Sequence, residues 1–194
     1  MKPRLQTWIL MGAGLLCLVP AFLPREAEGT PPRRALTSLA ASWQWIQFDQ
    51  SLAKGSWEQA YLHADRALAL DSESPQGWIA LATNLIFLRA SFQNEPDDQK
   101  RIAWMQAGID VLLEGTRRSR DPGQVHLVLG QTLTFFIAYL ADMDEDPLPW
   151  PGGAEAAREL GLEHLRLAEG LGHSGAQQSL EILLGPHDHP HVGD

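Results

Sequence analysis

Residues that begin and end helices divide the chain from residue 36 onward, and this division constrains the fold more than any other feature. Gly55-Ser56 is typical of one helix ending and the next beginning. Ser74-Pro75 and Asp121-Pro122 each combine an N-cap residue with a proline at the first helical position. No segment shows the strict polar–apolar alternation of a half-buried strand. The sequence therefore predicts an all-α domain of seven helices, near residues 36–53, 57–70, 75–92, 97–116, 123–142, 153–170 and 175–184.

The start of the chain contains an uncharged apolar run from Leu5 to Leu23. A run of this length reaches the threshold of about 18 residues for spanning a bilayer. Lys2 and Arg4 precede it, which is typical both of a signal peptide and of an uncleaved signal anchor. Residues 1–24 are therefore predicted to form a transmembrane or signal helix, and both fates stay open.

Charge is distributed unevenly along the chain, whose net charge is -9. Residues 25–35, rich in proline and charge, are predicted to link the apolar segment to a domain at residues 36–185. That domain is strongly acidic and would repel the phosphates of nucleic acids, so we expect no nucleic-acid binding. We expect a single-pass protein of a bacterial-type inner membrane with its soluble domain in the periplasm, or a periplasmic or secreted protein if the signal is cleaved.

The segment between residues 55 and 75 resembles the tetratricopeptide repeat (TPR). That family has a glycine at the turn between its two helices, an aromatic residue two positions on, alanines at the helix crossings and a proline near the repeat end. The residues at matching places are Gly55, Trp57, Ala60, Ala64, Ala67 and Pro75. A second repeat would contain Trp78, Leu81, Ala82, Leu85, Ala103 and Ala107, and a third Leu129, Gly130, Leu133, Ala156, Ala157 or Leu160.

The resemblance implies a short right-handed α-solenoid of about three TPR-like hairpins with a C-terminal capping helix. An ordinary helical bundle is the alternative, because alanine-rich helices with glycine turns occur there too. In the TPR family, the first helix of each repeat lines a concave groove that receives a peptide or a partner helix. Mapping this groove onto the chain gives Trp45, Asp49, Leu52, Thr83, Ile86, Gln131 and Thr134.

Residues that could carry chemistry are sparse. His187, His189 and His191 could bind a metal ion, but they lie in a C-terminal stretch, residues 186–194, that is predicted to be disordered. The acidic loop beginning at Asp142 lacks the sixth and twelfth residues of a calcium loop, and its Trp150 is predicted to pack on the domain. The chain has no catalytic or phosphate-binding motif, so we expect neither an enzyme nor a cofactor.

These patterns favour a membrane-tethered, extracytoplasmic scaffold that binds another protein as an adaptor or assembly factor in an envelope complex. A small structural subunit is the first alternative, in which the strongly apolar third and fifth helices dock permanently on a membrane protein complex. The second alternative is an accessory protein that handles a metal ion through its histidine-rich tail.

Overall fold

The computed structural model describes residues 32–144 and 147–185, and within these residues it consists of seven helices without a strand. The predicted all-α fold class is confirmed. The helices are α1 (Pro32–Ala53), α2 (Trp57–Leu70), α3 (Pro75–Thr83, continued by Asn84–Arg89), α4 (Asp98–Arg118), α5 (Pro122–Gln131, continued by Thr132–Ile137 and Ala138–Ala141), α6 (Gly153–Gly170) and α7 (Ser174–Leu184). The predicted anchor at residues 1–24 and tail at residues 186–194 lie outside the described residues.

Local sequence signals account for most of the helix boundaries. Gly55 adopts a φ of +70°, a conformation that glycine tolerates best, between α1 and α2. The Asp121 side chain accepts a hydrogen bond from the backbone N–H of Gln124 and so caps α5. The largest difference from the predicted boundaries is at the start of α1, which begins at Pro32, inside the predicted linker. Proline is well suited to the first turn of a helix.

Contacts divide the chain into two units at Leu36, and α2 to α7 belong entirely to the second. In that unit α2 to α6 each pack against the next helix along the chain, α3 also contacts α5, and α5 also contacts α7. Helix α1 packs on α2 through Phe48, which lies against Ala60 and Ala64. Helices α3, α5 and α7 are therefore neighbours in this order, although they are not consecutive in the chain.

Helices α3 and α5 share an unusual feature, because each contains a six-residue π-helical segment. Each segment starts two residues after a buried small residue, Ala82 in α3 and Gly130 in α5. A π-helical turn accommodates one extra residue, so the side chains that follow are rotated by about 100° around the helix axis. The same departure from α-helical geometry thus occurs at corresponding places in two hairpins.

Small residues lie where the two helices of a hairpin cross. Helices α2, α4 and α6 bury residues at a common spacing of four and then three positions: Ala60, Ala64 and Ala67; Gly108, Leu112 and Gly115; Gly161, Leu165 and Ala168. A Cβ atom added at Gly161 would lie 3.0 Å from the carbonyl oxygen of Gly130. At this distance the backbones of α5 and α6 leave no room for a side chain.

The crossing residues differ from those predicted for the second and third repeats. Ala103 and Ala156 are exposed, Ala107 is half-buried, and Leu160 is exposed, whereas Ala157 is buried in the main core. Glycines occupy the crossings instead, because these two helix pairs approach too closely for an alanine methyl group.

The acidic, proline-rich loop after α5 packs back on the domain. Leu148 is buried, and its N–H donates to the carbonyl oxygen of Leu140 over 2.8 Å. Trp150 packs against the main core, in agreement with the predicted packing role. An ion pair between Arg158 and Asp142 connects α6 to the end of α5.

Candidate partner-binding surface

The predicted groove residues of α1 divide between core and surface. Trp45 and Leu52 pack against the small core formed by Phe48, Ala60 and Ala64, and Trp45 also makes an edge-to-face contact with Phe48. Asp49 is exposed. Of these three predicted residues, only Asp49 is therefore fully available to a partner.

The predicted groove residues of α3 and α5 are likewise divided. Thr83 is exposed, and the amide of Gln131 donates to the Ser179 hydroxyl over 3.0 Å. Ile86 is buried to 1% exposure, and the buried Thr134 hydroxyl donates to the Gly130 carbonyl oxygen. Ile86 and Thr134 are core residues in this structure, and both lie in the π-helical segments.

Within these segments and just after the second one, aromatic side chains of α3 and α5 lie at the surface. We define this aromatic surface as Phe87, Phe135, Phe136 and Tyr139. The rings of Phe87 and Phe136 lie 4.5 Å apart between centroids, so the residues from the two helices are continuous. Phe87 is 44% exposed and Tyr139 is 64% exposed, although both are large and mainly apolar. Clustered exposed aromatic residues are typical of a protein-binding surface.

Helix α5 also has the composition of a membrane span. Among the described residues, Pro122–Ala141 is long and apolar enough to cross a bilayer, and 44% of its most apolar stretch is buried within the domain. A core helix of a soluble domain meets the same criterion. The apolar character of α5 is thus divided between the domain core and the aromatic surface.

A second feature is a cleft of about 540 Å³ lined by the start of α2, the end of α3 and the middle of α4. The Arg89 guanidinium lies over the rings of Trp57 and Trp104, 5.6 Å and 4.8 Å from their centroids. It also forms an ion pair with the buried Glu95 over 3.1 Å. Arg89 therefore holds three helices together and has its charge balanced within the domain.

Tyr61 forms the floor of this cleft, between the rings of Trp57 and Trp104. Burial raises the pKa of Tyr61 to about 12, although the nearby Arg89 charge opposes this effect. The Tyr61 hydroxyl has no hydrogen-bond partner among the described residues. The sequence did not predict this cluster, because the i, i+4 pair of Trp57 and Tyr61 is the only signal that is local in the chain.

Histidines that appear unrelated in the sequence meet between α5 and α6. The Nδ1 atoms of His126 and His164 are 3.0 Å apart, and their rings are stacked. Burial lowers the pKa of both residues; the neighbouring His126 lowers that of His164 further, and Glu163 opposes the shift in both. The pair shares one hydrogen bond and is therefore stable only while at least one ring is neutral.

A prediction about pH follows from this histidine pair. Because the folded pKa values lie below the ordinary value of 6.5, the unfolded chain binds more protons as the pH falls, and folding stability decreases. The contribution of the neutral histidine pair to folding stability is complete above about pH 6.5, and it is lost as the pH falls through the folded pKa values. Thermal unfolding followed by circular dichroism should give a lower Tm at about pH 5.5 than at about pH 7.5. His126→Gln should reduce this difference, and an unchanged difference would contradict the assignment.

A further histidine supports the start of α5. His173 Nε2 lies 2.9 Å from Asp121 Oδ1, and the pKa of Asp121 is lowered by the Gln124 N–H and by His173. In residues 32–144 and 147–185, no three side chains of histidine, cysteine, aspartate or glutamate are arranged to hold a metal ion. His187, His189 and His191 lie outside these residues.

Comparison with family models, curated proteins and solved structures finds no match to this chain. The fold defines the class of the protein as an all-α domain.

Proposed function

We propose that the protein is a short helical-repeat scaffold that binds another protein through its aromatic surface. The exposure of Phe87, Phe135 and Tyr139 on two adjacent helices carries this proposal. Large aromatic residues bury more apolar area per residue than other side chains, and they dominate the energetics of many interfaces. Three exposed aromatic residues, with the half-buried Phe136 beside Phe87, would provide an anchor for an apolar or helical segment of a partner.

Internal repetition supports the scaffold part of the proposal. Buried residues recur in α2, α4 and α6 at one spacing, with a small residue at the first and third positions of each set, and the π-helical segments recur in α3 and α5. The contacts of α3 with α5, and of α5 with α7, are those expected of hairpins stacked in chain order. The helices of an ordinary bundle also bury residues at this spacing, so the order of the contacts and the paired π-helical segments are the observations that favour a TPR-like solenoid of three hairpins with α7 as its cap.

The proposed groove differs from the one mapped by resemblance alone. Of the mapped residues, Ile86 and Thr134 are buried, and we replace them by the aromatic residues that follow them in α3 and α5. Thr83 and Gln131 lie on the same two helices and would provide polar contacts to a bound peptide or helix. We propose no catalytic activity and no cofactor for this surface.

We also propose that residues 1–24 tether the domain to a membrane and that the domain acts on the extracytoplasmic side. The apolar run and its preceding basic residues support this location. A tether confines the scaffold to the membrane surface, where an adaptor or assembly factor of an envelope complex would meet its partner. A permanently docked subunit is the second candidate function, and the apolar composition of α5 favours it.

Substitution at the aromatic surface should abolish partner binding without unfolding the domain. Phe135→Glu and Tyr139→Glu each place a charge where a partner would bury an aromatic ring, and we expect affinity to fall by about tenfold or more. Both side chains are exposed, so the change in folding stability should stay within about 0.5 kcal/mol. Affinity purification of the full chain from detergent-solubilised membranes, with quantitative mass spectrometry of the co-purified proteins, measures the loss.

Ile182→Glu is the matched control, because Ile182 is 68% exposed on α7 and lies outside the aromatic surface. The control should retain the partners of the unmodified chain. Equal recovery of partners with all three variants would overturn the proposed surface. The docked-subunit alternative predicts a different result. The unmodified chain would stay bound to one complex without exchange, and Phe135→Glu and Tyr139→Glu would release a chain that stays in solution without detergent.

A further inference from the structure

The C-terminal hairpin, which consists of α6 and α7, is attached to the rest of the domain through a single helix. Among the described helices, α6 and α7 pack only on α5 and on each other. A terminal unit that contacts only one neighbour can detach while the remainder of a domain stays folded. A change that weakens the interface between α5 and α6 therefore acts first on the C-terminal hairpin.

The histidine pair lies inside this interface. His126 is four residues before Gly130 on α5, and His164 is three residues after Gly161 on α6. The pair is therefore about one helical turn from the close crossing of the two glycines. His164 is only 6% exposed, and its Nε2 atom has no hydrogen-bond partner among the described residues. Water can hydrate the His164 ring fully only if α6 moves away from α5.

The number of protons on the pair decides whether this interface is stable. While one ring is neutral, one Nδ1–H donates to the other Nδ1 atom over the 3.0 Å between them. When both rings are charged, both Nδ1 atoms are donors, and neither can accept from the other. His164 is then a buried cation without an acceptor, which is costly until α6 moves and water reaches the ring.

Few other charges act on the pair. Of the charged groups on the described parts of α3, α4, α6 and α7, only the Glu163 carboxylate acts on the two rings, and it favours their charged forms. Helix α5 contains no aspartate, glutamate, lysine or arginine between residues 122 and 141. Burial outweighs the effect of Glu163, so the pKa of each histidine lies below its ordinary value.

From this placement, we propose that the protein contains an acid-sensitive switch, in which protonation of both His126 and His164 releases the C-terminal hairpin from α5. Release exposes the face of α5 that contacts α6, including Gly130, Leu133 and Thr134. This face adjoins Phe135, so acid enlarges the exposed apolar surface of α5. The switch depends on the interface between α5 and α6 and does not rest on the proposed function.

Hydrogen exchange of the full chain in detergent, followed by mass spectrometry, tests the switch. Protection factors are compared at about pH 7.5 and about pH 5.0, after correction for the intrinsic exchange rate at each pH. The amides of Gly153–Gly170 and Ser174–Leu184 should lose protection by about tenfold or more at the lower pH. The amides of Trp57–Leu70 should change far less, because α2 does not contact the C-terminal hairpin.

Histidine variants identify the groups responsible. His126→Gln leaves one ring that can be charged, and the glutamine amide oxygen can accept from it, so the loss of protection in acid should disappear. His164→Gln should act in the same way. His63→Gln is the matched control, because His63 contacts Gln44 over 2.8 Å between α1 and α2 and lies outside the switch. This control should lose protection in α6 and α7 as the unmodified chain does.

The pattern of protection along the chain separates a switch from acid unfolding. An equal loss from α2 to α7 would mean that the whole domain unfolds, and it would overturn the proposal. Unchanged protection of α6 and α7 in the unmodified chain would also overturn it. The same holds for a loss in acid that neither His126→Gln nor His164→Gln reduces.

Discussion

Gly130→Ala should destabilise the domain by about 2 kcal/mol or more, because the added methyl group has no space to occupy. The new Cβ would lie 2.8 Å from the carbonyl oxygen of Gly161 and 2.7 Å from the Leu165 side chain. A backbone carbonyl cannot rotate away as a flexible side chain can, so α5 and α6 would have to separate. Urea unfolding followed by far-ultraviolet circular dichroism measures the change in the free energy of unfolding.

Gly170→Ala provides the control for this experiment. Gly170 ends α6, and a Cβ added there would meet no atom within 4 Å. Alanine is a better helix former than glycine, so the free energy of unfolding should stay the same or rise by up to about 1 kcal/mol. If Gly130→Ala were as stable as Gly170→Ala, the close crossing of α5 and α6 would be wrong.

Ala64→Trp should have an effect of similar size in the first hairpin. Ala64 has no exposed surface and lies against Phe48, where α1 and α2 cross. An indole cannot fit without separating the two helices, and overpacking of this kind typically costs about 1–3 kcal/mol or more. Urea unfolding measures the cost, and the variant should remain helical unless the first hairpin detaches.

Ala60→Ser is the matched substitution on the same face of α2. Ala60 is also fully buried, but a hydroxyl adds little volume and can bond to a carbonyl oxygen one turn earlier. The expected cost is about 1 kcal/mol or less. A tryptophan at position 64 that is tolerated as well as a serine at position 60 would show that α1 and α2 do not cross closely, and would remove support for the repeat.

The positions of the helices could be predicted because their boundaries depend on local chemistry. A cap such as Asp121 and a turn residue such as Gly55 act within a few residues of themselves, so the sequence shows them directly. The crossing residues of α2 were predicted on the same basis, because alanines at the TPR spacing are visible in one short segment. The packing of Trp150 against the core could be predicted because a fully exposed tryptophan is uncommon.

The crossings of α4 and α6 could not be predicted in this way. A glycine within a helix usually lowers helix stability, so Gly108, Gly130 and Gly161 signal a helix crossing only when the opposite helix is known. The TPR resemblance mapped Ile86 and Thr134 to the groove, but both are buried in this structure. Both lie in π-helical segments, which the sequence pattern does not show.

The candidate sites depend on contacts between residues that are distant in the chain. His126 and His164 are 38 positions apart, and nothing in the sequence near either residue indicates that the two rings meet. Arg89 meets Trp57 and Trp104 only because α3 ends beside the start of α2 and the middle of α4. Phe87 and Phe136 likewise form one surface through the packing of α3 on α5.

Site-specific photo-crosslinking of the full chain in intact membranes tests the proposed partner-binding surface most directly. A benzophenone amino acid at Phe87, Phe135 or Tyr139 should give one common adduct with a second protein, because the three positions belong to one surface. The same amino acid at Ile182 on α7 should not give that adduct. Adducts that differ among the three positions, or the same adduct from Ile182, would contradict a binding surface formed by α3 and α5.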